Sequence, residues 1–225
     1  MKEQERKLRG TERRYVKTEK DPNKTRILTI VGSEVAFEER LINDREQLQW
    51  VVNVLKQEGL KIVYTSGVYD LIHIGHLMYL DQARSLGHVV IIGVDSDELT
   101  RERKSDIPGR PIVPLKERLK TLAYARTGHI YTVRDTNEHK DQLIVDILPD
   151  IALFSRSTKD EENFEEKIVK KLSDYCGEIV FLDPQADVST TERIRNLHIS
   201  GADGLGKAVT ETIENYLNPN KEAKK

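Results

Sequence analysis

Thr65-Ser66-Gly67-Val68-Tyr69-Asp70-Leu71-Ile72-His73-Ile74-Gly75-His76 is the stretch from which the rest of the chain can be read. It follows the apolar run Lys61-Ile62-Val63-Tyr64 and opens into Leu77-Met78-Tyr79-Leu80-Asp81-Gln82-Ala83-Arg84, where Leu77, Leu80 and Ala83 have helical spacing. The order is strand, small-residue turn, helix. Such a turn leaves backbone N–H groups unpaired at the helix start, where the macrodipole also favours negative charge, so a phosphate is the natural guest. His73 and His76 lie three apart, close enough to present both imidazoles on one side of the opening turn. Two imidazoles beside a phosphate suit a reaction in which charge builds on phosphoryl oxygens.

Other readings of an H-x-x-H pair exist. It can hold a metal, and a histidine near a helix start is often a hydrogen-bonded structural residue. A zinc protease needs two histidines four apart on a helix with a glutamate beside the first, and that pattern is absent. No metal ligand is assigned. Gly201-Ala202-Asp203-Gly204-Leu205-Gly206-Lys207 fits the G-x-x-x-x-G-K phosphate loop, but Ala208 stands where a Ser or Thr would hold Mg²⁺. That stretch is expected to be a joint before a final helix at Lys207 to Leu217.

From Gly67 to His76 the segment resembles the G-x-F-D-x-x-H-x-G-H signature of the cytidylyltransferase-like nucleotidyltransferases, with Tyr69 in place of Phe. The same H-I-G-H letters occur in class I aminoacyl-tRNA synthetases, but no K-M-S-K-S-type loop stands here. The resemblance continues through Leu86-Gly87-His88 and the strand Val89 to Asp97, Arg110-Pro111-Ile112 with Glu117-Arg118, and Val188-Ser189-Thr190-Thr191. With Ile147-Leu148-Pro149-Asp150, this order is similar to the adenylyltransferases that act on heptose 1-phosphate. The resemblance implies a Rossmann-like, doubly wound parallel α/β sheet. It also implies transfer of a nucleotidyl group from an NTP, ATP above CTP, to a phosphorylated small molecule such as a sugar 1-phosphate, with Mg²⁺ accompanying the triphosphate. The roles it implies are catalytic for His73, His76 and Lys104, with Arg101 and Arg103 as competitors for the lysine's place. Nucleotide contacts are implied for Thr65, Ser66, Gly67, Tyr69, Asp70, Gly75, Asp95, Ser189, Thr190 and Thr191, and acceptor contacts for Asp70, Arg110, Arg118 and Arg156.

Two departures bear on the substrates. Phe154-Ser155-Arg156-Ser157-Thr158-Lys159-Asp160 stands where the heptose enzymes carry K-G-G-D, and Pro184 stands where the glycerol 3-phosphate cytidylyltransferases carry an arginine. Alternatives are therefore a cytidylyltransferase making a CDP-alcohol, an FAD synthase, and a catalytically silent nucleotide sensor.

The Ser-Thr-Thr element also has a local reading. Ser189 and Glu192 form an S-x-x-E capping box, so a helix is expected there, preceded by a strand-like run at Glu178 to Leu182. An ordinary cap explains the letters equally well. Position favours a ligand, because a helix start at the carboxyl ends of a parallel sheet is where phosphates bind, with Arg193 or Arg195 at hand.

Composition sets the frame. The chain has 225 residues, 37% of them hydrophobic, enough for one sizeable α/β domain. A net charge of −2 gives no whole-chain case for nucleic-acid or membrane binding. The single Cys176 excludes an internal disulfide and fits a reducing, cytoplasmic compartment, and no apolar run is long enough to span a bilayer. Residues 1–26 carry +5, so the remainder carries −7. The expected organisation is a charged, disordered tail at 1–25, a strand (Arg26 to Val31) and a helix (Asp44 to Gln57) within 26–60, a nucleotidyltransferase domain at 61–217, and a polar tail at 218–225. Within the domain, strands are expected at Val89 to Val94, His129 to Val133, Ile151 to Phe154 and Ile179 to Leu182. They alternate with helices at Leu115 to Tyr124, Gln142 to Leu148 and Phe164 to Tyr175, and Asp97 to Arg110 is read as a charged loop. Oligomeric state is left open.

Overall fold

The computed structural model of the chain describes residues 36–105, 109–137, 139, 141–156 and 163–186, with single helical positions at Gly201, Gly204, Lys207, Val209 and Thr210. In chain order its elements are α1 (Phe37–Arg40), α2 (Arg45–Gln57), β1 (Ile62–Gly67), α3 (Ile74–Leu86), β2 (Val89–Asp95), α4 (Asp97–Arg103), α5 (Leu115–Tyr124), β3 (Ile130–Arg134), α6 (Gln142–Ile147), β4 (Ile151–Ser155), α7 (Phe164–Leu172) and β5 (Glu178–Leu182). The expected tails, the strand at 26–31 and the Ser-Thr-Thr element lie outside the described residues. Gly201, Gly204 and Lys207 are helical, so the joint expected there gives way to helix at each described position.

The strands form one parallel sheet in the order β3-β2-β1-β4-β5, the doubly wound arrangement expected from the sequence. Helices cover both faces, which is why the central strands are apolar runs without a polar side; all seven residues of β2 are buried. Strand side chains alternate, and the alternation sorts them into two cores. Ile62, Tyr64, Val89 and Ile91 meet Leu48, Val52 and Leu55 of α2, Ile144 and Ile147 of α6, and Leu172 of α7. Val63, Val90, Ile92 and Val94 meet Leu80 and Ala83 of α3, and Leu119 and Leu122 of α5.

The chain builds from β1 to β2 and β3, then returns to the other side of β1 for β4 and β5. That reversal puts a switch point between β1 and β4, and ligands of open α/β sheets bind in the crevice beyond the carboxyl ends there. The loop from Val68 to His73 and the residues following β4 therefore face the expected site.

Two local features depart from the sequence expectations. The stretch read as a charged loop begins as the helix α4, with the Ser96 hydroxyl accepting from Leu99 N at 3.0 Å, acidic residues in its first turn and Arg101 and Arg103 in its last. Residues before α2 also close the β3 edge. Leu41 bridges Tyr131, Ile42 N donates to Tyr131 O at 2.9 Å, and Val133 N donates to Asn43 Oδ1 at 3.0 Å. Arg45 donates to Thr132 Oγ1 and Val133 O at 2.7 and 2.8 Å, so this edge is covered rather than left open to another chain.

Candidate nucleotide site at the carboxyl ends of the strands

The loop joining β1 to α3 holds an unusual backbone. Tyr69 and Leu71 both have positive φ, 53° and 45°, a conformation that disfavours residues with a Cβ. Asp70 between them fixes it. Its buried carboxylate accepts from Ile112 N at 3.0 Å, Val113 N at 2.9 Å and Arg110 Nε at 3.3 Å. Arg118, also buried, donates to Val68 O, to Val113 O at 2.9 Å and to Asp97 Oδ1 at 2.6 Å. These bonds tie the R-P-I element to the first loop. The acceptor contacts expected of Asp70 and Arg118 would have to be made alongside these bonds inside the fold.

The histidine pair is assembled at the start of α3. His73 is the N-cap residue with extended backbone, and its carbonyl accepts from His76 N and Leu77 N at 3.0 and 3.2 Å. The two imidazoles stack with ring centroids 3.9 Å apart and planes 26° from parallel, and the Tyr69 ring meets His76 edge-on at 5.6 Å. A Cβ at Gly75 would lie 3.1 Å from the His73 ring and 3.5 Å from Ala186 Cβ. Glycine there makes room for the imidazole and for the chain leaving β5, which passes the helix start at Ala186, the last described residue before Ser189. Gly67 plays a similar part, since a Cβ there would lie 3.3 Å from the Tyr69 ring.

Burial, together with His73 and Arg110, lowers the His76 imidazole to about 4, against the opposing pull of Asp70. His76 is therefore neutral near pH 7. Its Nδ1 is buried and has no hydrogen-bond partner among the described residues, an uncompensated polar atom of the kind that a ligand can satisfy. The Tyr69 hydroxyl is also buried without such a partner, and burial raises its pKa well above the ordinary phenol value.

The remaining expected residues divide. The buried hydroxyl of Thr65 lies between Tyr79 Oη at 2.8 Å and Leu153 O at 3.1 Å. Ser66 Oγ accepts from Arg134 Nη1 at 2.8 Å. Asp95, expected to touch ribose or metal, is fully buried and carries two guanidiniums: Arg134 Nε at 2.8 Å on Oδ1 and Arg103 Nη1 at 2.7 Å on Oδ2. Lys104 caps the carboxyl end of α4, and its ammonium has no ion pair or hydrogen bond among the described residues. Arg110 stands close enough to His76 to help lower its pKa. Arg156 lies just past β4, paired with Glu165 at 2.5 Å and Asp183 at 3.4 Å. Ser189, Thr190, Thr191, Arg193 and Arg195 lie outside the described residues.

Sequence reasoning did not find Arg134 or Tyr79. Arg134 had one signal, a cation at the carboxyl end of a strand, where polar groups face the crevice. The described residues contain no group of three or more His, Cys, Asp or Glu able to hold a metal. No helix among the described residues is long and apolar enough to cross a membrane.

A family model described as cytidylyltransferase-like matches residues 64–196. Among curated proteins, the chain is 34% identical over 163 residues to the bifunctional protein HldE of Desulfatibacillum aliphaticivorans, a match covering 72% of this chain and 32% of that one. It is 35% identical over 159 residues to the protein of the same name from Alcanivorax borkumensis, covering 69% and 32%. The match thus spans about a third of the length of these relatives. Among solved structures, the pantoate-beta-alanine ligase of Francisella tularensis, complexed with beta-gamma ATP and beta-alanine, has a similar fold: TM-score 0.50, 14% identity, covering 65% of this chain and 67% of that one.

Proposed function

The chain belongs to the cytidylyltransferase-like family, and on that premise we propose that it transfers AMP from ATP to the phosphate of a sugar 1-phosphate, heptose 1-phosphate first among them, releasing pyrophosphate. The observation that carries this reading is the stacked pair His73 and His76 at the opening of α3, beside the switch point of the sheet. An acceptor phosphate oxygen attacks the α-phosphorus in line, the new P–O bond forms as the bond to the β-phosphate bridge breaks, and no covalent enzyme intermediate intervenes. The imidazoles donate to the α-phosphate oxygens as charge gathers there. A neutral His76 suits this task, since the arriving anion supplies the charge that favours an added proton. Lys104 reaches the phosphates of both substrates and offsets their repulsion. Ser189, Thr190 and Thr191 hold the departing pyrophosphate, and Mg²⁺ arrives on the triphosphate as part of the substrate.

Adenylyl transfer is favoured over cytidylyl transfer by Pro184, which takes the place of the arginine found in the glycerol 3-phosphate enzymes. The order of R-P-I, I-L-P-D and S-T-T supports a sugar-phosphate acceptor. The test is pyrophosphate release with ATP or CTP and a panel of heptose 1-phosphate, glycerol 3-phosphate and phosphoethanolamine. Turnover is expected with ATP and the sugar phosphate. Faster turnover with CTP and an alcohol phosphate would replace this reading with the cytidylyl one, and nucleotide binding without turnover on any acceptor would favour a sensor.

A further inference from the structure

We infer that Asp95 and Arg103 form a positioning pair that sets the carboxyl end of α4, and with it the Lys104 ammonium, over the nucleotide phosphates. The inference rests on the role proposed above for Lys104. The two ends of α4 are held very differently. At its start, Ser96 N donates to Arg134 O at 2.8 Å, Ser96 Oγ donates to Asp135 Oδ1 at 3.0 Å, and Asp97 Oδ1 accepts from Leu115 N at 2.9 Å and Arg118 Nη2 at 2.6 Å. At its end, the Arg103–Asp95 contact at 2.7 Å is, among the described residues, the one ion pair or hydrogen bond that leaves the last turn for another element. Arg101 pairs only with Glu98 of the same helix, at 2.6 Å.

The receiving group is well suited to serve as a fixed point. Asp95 is the last residue of β2, fully buried, and Arg134 holds its other oxygen while reaching Ser66 Oγ at 2.8 Å. Asp95 therefore registers the carboxyl ends of β1, β2 and β3 to one another, and Arg103 carries that register out to the residue beside Lys104. A lysine side chain has four rotatable carbons, so the position of its Cα decides how often the ammonium meets its target. Arg103 is about one-third exposed, and Arg134 still balances the charge of Asp95 when Arg103 is removed. Its loss therefore loosens α4 without stranding a buried carboxylate.

The test is a double-variant cycle on nucleotide affinity, read by calorimetry with ATP and with CTP in Mg²⁺ on the full chain. Lys104→Met and Arg103→Leu are each expected to weaken binding about tenfold, and the second change to add less than twofold in the presence of the first. A merely structural role for Arg103 gives losses that multiply. Multiplying losses, or an Arg103→Leu variant that binds normally while Lys104→Met does not, would overturn the inference and leave the role of Lys104 standing. Normal binding by Lys104→Met would instead sink the role of Lys104, and the inference with it. Absence of any nucleotide binding by the unaltered chain would remove the proposed function itself. Arg103→Gln serves the same cycle should the leucine variant not fold.

Discussion

At the scale of single residues, the site is a set of groups held in states they would not choose in water. His76 is the clearest case, because it is neutral, stacked on a second imidazole and short of a partner at Nδ1 among the described residues. Its interactions with substrate are expected to matter most when charge has built up, so His76→Ala should lose about a hundredfold in kcat while ATP affinity changes little. Steady-state kinetics beside calorimetry checks this, and near-normal turnover would remove the pair from the mechanism. A second consequence concerns acid. Burial, together with Arg84 and Arg40, also lowers His129 to about 4, and its Nδ1 accepts from Val90 N at 3.0 Å. Unfolded, both histidines titrate near 6.5, so between about pH 6.5 and 4 the unfolded chain binds protons that the folded chain refuses. Their contribution is complete above that window and is lost as pH falls through it. Denaturant midpoints should therefore fall from pH 6.5 to 4, and His129→Gln should flatten the slope; an unchanged slope would mean His129 titrates normally.

At the scale of elements, what could be read in advance depended on periodicity. The helix α2 was legible because Leu48, Val51, Val52 and Leu55 mark one face and Asp44 caps it, accepting from Gln47 N at 2.7 Å. The turn before α3 was legible as a break between strand and helix, but not its backbone, because the positive φ of Tyr69 and Leu71 is held by bonds to Asp70 from residues about forty positions away. By contrast α4 is charged almost throughout and has no apolar stripe, so it read as loop, although Ser96 followed by acidic and then basic residues is a helix signature in its own right. The bonds that Asp70, Asp95 and Arg118 make inside the fold were not legible for a different reason. A buried carboxylate or guanidinium is defined by partners distant in sequence, and nothing local announces them. The cover over β3 was hidden in the same way, since it depends on contacts between residues about ninety positions apart. It leads to a prediction. Deleting residues 1–24 should leave the melting temperature nearly unchanged, because a polar segment gains little by ordering. Deleting residues 1–44 removes Leu41, Ile42 and the Arg40 bonds to Gly128 O and Ala123 O, and should lower it by roughly 5 °C or more. Calorimetric scans of the two truncations distinguish the cases, and equal melting temperatures would show that the edge cover adds no stability.

At the scale of the whole molecule, alternating strands and helices announce a parallel sheet without saying which strands are neighbours, and the doubly wound order was expected from the family resemblance alone. The observed order has a consequence in time. Strand β1 pairs with β2 at Ile62 and Val89, 27 positions apart, but with β4 at Val63 and Ile151, 88 positions apart. Closing the longer loop costs about 1 kcal/mol more in chain entropy, so β1, β2 and β3 can join before β4 arrives. The crevice between β1 and β4 then comes into being only at the last of these pairings. During refolding, protection of backbone amides in β2 should precede that in β4, and the capacity to bind ATP should appear with the second event and not the first. A nascent chain that has folded its first half would carry both histidines and still be blind to nucleotide.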